Sequence, residues 1–380
     1  MEPLVPRYGN GTLADVLPSL LAGMDVPGTA DTLGIAGPTR VCLLLVDGLG
    51  RRLLDDHAED APFLASLGAD RITAGFPATT ATSIASLATG EPSGGHGIVG
   101  YSFAVDGPDG EELLNTLRWH RHGENGDLRA VLVPEEVQPH PTAFERAEAA
   151  GVRVRFVAPR DHRGSGLTRA VLRGGEFHGV HALGDLVSRA SAALREPGRA
   201  LCYAYHADLD ALGHVYGPGS EPWRCQLVFV DRLAAALAEA LPPDAALMVT
   251  ADHGMVEIDD PVDFDTAEDL RDGVRLLGGE VRVRHVYTEP GALDDVRARW
   301  SGVLGDRAWV ATRDEAIARG WFGPRVEDRV RPRIGDVVVA ARGGLGVVRS
   351  AAERWLSALP GQHGSLTAEE QFVPLLVVRR

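Results

Sequence analysis

Short runs rich in Val, Leu and Ile recur along the chain and read as buried strands. They fall at 41–46 (VCLLLV), 152–158 (VRVRFVA), 199–205 (RALCYAY), 245–250 (AALMVT), 336–341 (DVVVAA) and 373–378 (VPLLVV). The runs are continuous rather than alternating, the pattern of strands covered on both faces, as in a parallel sheet. Between them, 142–150, 182–195 and 225–241 repeat their apolar positions at helical spacing, and Gly151 closes the first of these helices. Strands alternating with helices over this length predict an α/β sandwich. The stretch 256–345 breaks the pattern: it is rich in charge and glycine and holds a strand-like 281–287 (VRVRHVY). It reads as a small cap inserted into a main domain made of 36–255 and 346–380, with 1–35 as an N-terminal extension that offers no recognisable chemistry.

Composition narrows the partners. With 44% apolar and 24% charged residues, the 380-residue chain has the balance of an ordinary globular protein. Its net charge is −15, and all 38 basic residues are Arg. With no basic cluster there is no footprint for nucleic acid or an anionic membrane. Any phosphate it handles must be neutralised locally, by metal ions or by a few Arg. Cys42, Cys202 and Cys225 are odd in number and set among apolar neighbours. They read as buried free thiols in a reducing compartment. The N-terminus lacks a basic start followed by a long apolar run, and no segment reaches the roughly 18 apolar residues of a membrane helix. A cytoplasmic protein is expected.

The chemistry clusters at strand ends, where open α/β sheets bind ligands. VCLLLV ends in Asp47 and AALMVT leads to Asp252; Gly48 follows one, His253 and Gly254 the other. The glycines let the backbone turn away and leave the carboxylates facing the crevice. Asp210 and His214 are four apart, so one helical turn would put both on a single face for a shared cation. Asp208 and His206 are lesser candidates in the same segment. His363 stands between two glycines just before the last strand. Singly, these residues have plainer readings as turn formers, caps or surface pairs. Together, Asp47, Asp210, His214, Asp252, His253 and His363 supply enough nitrogen and oxygen ligands for two divalent cations, with zinc the expected metal and Mn²⁺ or Fe²⁺ also suited by the same ligands. In 76–90 (FPATTATSIASLATG), Pro77 precedes a hydroxyl-rich run leading into a helix with Ile84 and Leu87 on its apolar face, closed by Gly90. Thr79 or Thr80 then sits at the helix N-terminus, where free N–H groups favour an anion. A hydroxyl there is either a plain N-cap or a nucleophile.

In order, these segments resemble the nucleotide pyrophosphatase/phosphodiesterase branch of the alkaline phosphatase superfamily. The resemblance rests on strand-Asp-Gly, FP-x-x-T with TG ten residues on, H-G-I-V, D-x-x-G-H-x-Y-G-P, A-D-H-G-M and a late H-G. It runs from about Val41 to Val377. It implies a three-layer α/β sandwich with a mainly parallel central sheet. It also implies two zinc ions and hydrolysis of a small-molecule phosphodiester or nucleotide pyrophosphate through a phospho-enzyme at Thr80. By the same resemblance, Asp47, Asp252 and His253 hold the metal nearer Thr80, itself a ligand, and Asp210, His214 and His363 hold the other. Two positions depart from the family: Thr79 replaces a frequent Lys, and Tyr101 stands where the phosphodiesterases carry an Asn that holds a phosphoryl oxygen. Tyr101 either donates one hydrogen bond to substrate or packs. A sulfatase would need a C/S-x-P-x-R run that 76–83 lacks, and the phosphoglycerate mutase branch uses Ser and a longer insertion. The alternatives are a phosphomonoesterase or phosphonate hydrolase on the same site, or a silent relative that only binds. No Arg lies between Gly75 and Arg118, which favours a diester, with Trp119 or Tyr101 as stacking partners and distant residues such as Arg160 as possible added cations.

Overall fold

The computed structural model describes residues 2–107, 110–124 and 126–380. The apolar runs form a seven-stranded sheet: β1 (Arg40–Val46), β2 (Arg71–Thr73), β3 (Arg153–Pro159), β4 (Glu176–Val180), β5 (Ala200–His206), β6 (Ala245–Thr250) and β7 (Phe372–Arg379). Their order is β2-β7-β6-β1-β5-β3-β4. β1 runs parallel to β5 and β6, β3 is parallel to β4 and β5, and β7 closes one side antiparallel to β6 and β2. Every residue of β5 and β6 is buried, which is why these segments carry no polar alternation.

Helices cover the sheet in two groups. Leu183–Arg195 and Glu221–Glu239 pack on each other, while Thr80–Thr89, labelled α1, packs with Val16–Ala22 and Ala143–Ala149. α1 is buried on all sides and ends at Gly90 in a left-handed conformation. The N-terminal segment is part of this layer: Leu13, Val16, Leu17, Leu21 and Met24 are fully buried in the main core.

The run at 336–341 is a strand, but it lies outside the central sheet. Val337–Ala341 sits in a separate four-stranded antiparallel sheet, between Val283–Thr288 and Ala308–Thr312, with Val274–Glu280 at the edge. That sheet has its own core around Leu277, Val286, Trp300 and Val339. A third antiparallel sheet, Ser102–Gly107, Gly110–Asn115 and His120–Arg121, was not legible in the sequence and carries Tyr101 and Arg118 at its turns. Two buried ion pairs join the second sheet to its surroundings: Arg282 with Glu370, and Arg284 with Glu353. Among the described residues, no helix is long and apolar enough to cross a membrane.

Candidate active site

The site lies past the carboxyl ends of β1, β5 and β6. Asp47 follows β1 directly. Gly48 takes φ +74°, and a side chain there would meet Asp210 at 3.0 Å, so the chain turns where only glycine fits. Gly254 is needed for a different reason: a Cβ on it would lie 1.9 Å from the Glu369 carbonyl oxygen. Asp210 and His214 both lie on α2 (Asp208–Tyr216), one turn apart, with 3.4 Å between His214 Nε2 and Asp210 Oδ2. The i, i+4 spacing does put both side chains on one face of the helix.

Three imidazoles are tied in the same way. His214 Nδ1 lies 2.7 Å from the Gly361 carbonyl, His253 Nδ1 3.1 Å from that of Gly254, and His363 Nδ1 3.0 Å from that of Ala78. A carbonyl can only accept, so each Nδ1 carries the proton and each Nε2 presents a lone pair to the site. These lone pairs converge. His363 Nε2 is 3.2 Å from His214 Nε2 and 3.8 Å from Asp210 Oδ1. His253 Nε2 is 3.3 Å from Asp47 Oδ1 and 3.5 Å from Asp252 Oδ2. The His253 and His363 rings stack with centroids 3.5 Å apart, so the two groups adjoin.

The carboxylates are half-satisfied. Tyr205 donates to Asp47 Oδ2, and the backbone N–H groups of Gly48 and His253 donate to Asp252 Oδ1, each at 3.1 Å. Asp47 Oδ1, Asp252 Oδ2 and Asp210 Oδ1 are buried without a hydrogen-bond partner among the described residues. Burial, and then the charges of Asp252 and Asp210, push the Asp47 carboxyl well above its usual range. Burial also raises Asp252, and burial with repulsion from His253 and His214 drives His363 well below the usual imidazole value. Opposed lone pairs and orphaned carboxylate oxygens at these distances are costly alone and are relieved by cations between them. Two groups within ligand reach of one ion stand out: Asp47, Asp252 and His253; and Asp210, His253 and His363. His253 falls in both; His214 is in neither, but its Nε2 lies 3.4 Å from Asp210 Oδ2 and 3.2 Å from His363 Nε2. The residues fit divalent metal ions.

Thr80 is the first residue of α1, with Thr79 as its N-cap. Thr80 Oγ1 lies 3.2 Å from His253 Nε2. The hydroxyl therefore faces the ligand groups from a helix N-terminus, the place at which phosphate is favoured. The sequence profile of the type I phosphodiesterase / nucleotide pyrophosphatase family matches residues 41–366. The chain belongs to this family. It is a phosphoric ester hydrolase of the alkaline phosphatase superfamily, a metal-dependent class. Its fold is similar to that of murine ectonucleotide pyrophosphatase / phosphodiesterase 5 in an inactive form bound to AMP, with a TM-score of 0.66 and 18% identity over 89% of this chain and 87% of that one. The human counterpart gives 0.64 at 18% identity, covering 89% and 87%. Phosphonoacetate hydrolase from Sinorhizobium meliloti 1021, in complex with phosphonoacetate, gives 0.65 at 23% identity, covering 90% and 91%. No curated protein sequence matches the chain.

Two cavities open on either side of Thr80, and Thr80, Asp210 and Leu117 line both. One, of about 350 Å³, is walled by Ile84, Leu167, Leu172, Tyr205 and His162. The other, of about 230 Å³, is walled by Tyr101, Arg118, Glu280, Trp355 and Gln362. Several expectations change here. Trp119 cannot stack on a ligand: it is fully buried, its indole N–H donates to the Leu132 carbonyl at 2.7 Å, and its ring fills the space above Gly166. The exposed aromatic at the site is Trp355 instead. Arg160 is exposed beside Asp161 and lines neither cavity, whereas Arg118 lines the second, so the region beside Thr80 does hold a cation. Tyr101 lines the same cavity and packs edge-on against His122. His206 contacts Gln226 and Asp208 is exposed, and neither joins the ligand groups. Cys225 is exposed, unlike Cys42 and Cys202. Glu280, Arg118 and Trp355 gave no signal in the sequence, since each reaches the site through a long-range contact.

Proposed function

We propose that the protein is a two-metal phosphohydrolase that cleaves a phosphodiester or nucleotide pyrophosphate through a phospho-enzyme at Thr80. Asp47, Asp252 and His253 would hold one ion, and Asp210, His214 and His363 the other, with zinc matching the nitrogen and oxygen donor set. When bound, the ions would lower the pKa of the Thr80 hydroxyl and neutralise charge on the phosphoryl oxygens. Three carboxylates against two divalent ions leave a single positive charge, which suits an anionic ester. Thr80 Oγ1 forms a bond to phosphorus as the bond to the leaving oxygen breaks in line, and water then releases the phosphoryl group from Thr80. The N–H groups of the first turn of α1 face the phosphoryl oxygens and hold the group against that axis.

The observation that carries this reading is Thr80 Oγ1 at 3.2 Å from His253 Nε2, next to carboxylate oxygens that no hydrogen bond among the described residues satisfies. The paired cavities support a diester, whose second substituent needs a place of its own. AMP in one similar structure and phosphonoacetate in another are small phosphorus compounds of the kind this site would hold. Buried thiols on the adjacent strands β1 and β5 accord with a cytoplasmic setting. The test is Thr80→Ala against Thr79→Ala with bis(p-nitrophenyl) phosphate. Thr80→Ala should lose about three orders of magnitude in kcat or more, with metal content and fold kept. A Thr80→Ala enzyme that turns over normally overturns the assignment.

A further inference from the structure

The cavity on the Tyr101 side carries two groups that ester cleavage itself does not call for. Arg118 lines its wall, and Trp355 stands at its rim with 67% of its surface in solvent. Among the described residues the Arg118 guanidinium forms no ion pair, whereas most arginines that line the second sheet and its loops are paired.

Both groups stand on a built frame. Asn115 Oδ1 accepts the N–H groups of Leu117 and Arg118, each at 3.1 Å, which fixes the turn that presents Arg118. Beyond that turn, His122 Nε2 lies 2.8 Å from Glu353 Oε1, and Arg284 Nη2 donates to Glu353 Oε2 at 2.9 Å. Glu353 is two residues before Trp355. The wall bearing Arg118 and the wall bearing Trp355 are therefore clamped together through buried polar contacts, with the cavity between them leading to Thr80.

We propose that Arg118 and Trp355 form a specificity subsite for a second anionic group, a phosphate or a carboxylate, on the substituent that enters this cavity. The proposal rests on the hydrolase reading above and adds the chemistry of the substituent. Arg118 pairs with the anion in a fork geometry, and the indole face covers the flat or apolar part that links the anion to the reacting phosphorus. Glu280 lines the same cavity. Burial pushes its carboxyl up to about 8, so it does not cancel Arg118 at neutral pH.

The experiment compares three p-nitrophenyl aryl phosphodiesters whose aryl group is phenyl, 4-carboxyphenyl or 4-phosphophenyl, using zinc-loaded enzyme. The wild type should favour at least one anion-bearing ester over the phenyl ester by about tenfold in kcat/KM, as expected for one charge-assisted contact. The carboxylate and phosphate arms identify which anion the site takes. Arg118→Gln should bring that ratio close to one, and Arg118→Lys should recover part of it. Trp355→Ala should raise KM for the aryl esters more than for a methyl ester. Absence of any anion preference in the wild type, or its survival in Arg118→Gln, overturns this inference and leaves the hydrolase reading standing. Failure of the wild type to cleave all three esters overturns both.

Discussion

Cutting the Arg282–Glu370 pair should unfold the protein's active-site frame before it touches the chemistry. Both side chains are fully buried. Arg282 Nε and Nη2 reach the two Glu370 oxygens at 3.0 and 2.8 Å, a bidentate contact, and Arg282 also donates to the carbonyls of Leu345 and Ala341. Glu370 further accepts from Ser365 N at 2.9 Å and Thr367 Oγ1 at 2.6 Å. Ser365 is two residues from His363, so this pair anchors the loop that holds a candidate ligand. Removing one partner leaves a buried charge without its counterion, a loss of about 3–5 kcal/mol, against a total stability on the order of 5–15 kcal/mol. Arg282→Met and Glu370→Leu should each lower the urea midpoint by a corresponding amount and weaken metal binding. The double variant should cost much less than the sum, because it buries no lone charge. Circular dichroism in urea on all four proteins, with zinc titrations alongside, measures the cycle. Single losses below about 1 kcal/mol, or strictly additive losses, would refute the reasoning.

Elemental analysis should find about two transition-metal ions per chain, and Asp210→Asn should lose one of them in preference to the other; metal-free protein whose activity ignores chelators would contradict this. A matched pair of p-nitrophenyl esters should show the diester cleaved faster than the monoester in kcat/KM; a monoester preference above about tenfold, ~1.4 kcal/mol of transition-state binding, would reverse the assignment. Burial pushes the Glu353 carboxyl up, but Arg284 and His122 outweigh it and bring it down to about 2. A depressed carboxyl stabilises the fold above its unfolded value and loses that contribution as pH falls through the folded one. Stability should therefore decline between pH ~4.5 and ~2, by roughly 3 kcal/mol at most from this group, and Glu353→Gln should flatten that part of the profile in acid-unfolding measurements.

The central sheet was legible because β1, β5 and β6 are buried on both faces and so carry unbroken apolar runs. The same signal marks Val337–Ala341, which lies in the cap's own sheet, since a strand buried in another sheet reads no differently. The candidate metal-binding residues stood out in the sequence because each follows a strand, shares one helical turn or stands between glycines, all local features. Arg118, Glu280 and Trp355 were not: they meet only because the third small sheet and the loop after Val348 fold over Thr80, and nothing near them in sequence records that. Trp119 looked available because an aromatic beside a charged turn usually is, yet Gly166 leaves room only for its ring. Cys225 sits in an apolar run but on the outer face of a 19-residue helix, where neighbours in sequence are not neighbours in space.

The three imidazoles held by main-chain carbonyls give the site its shape independently of what fills it. An arriving ion must accept nitrogen donors in positions already set, and cannot draw the ligands into a cage of its own choosing. Magnesium, which demands near-octahedral oxygen and sheds water reluctantly, is poorly served by such a nest, whereas zinc, cobalt, manganese and ferrous iron tolerate imidazole. The identity of the bound metal would then follow supply among the ions that accept imidazole, and turnover with each in excess would show which of them the site uses.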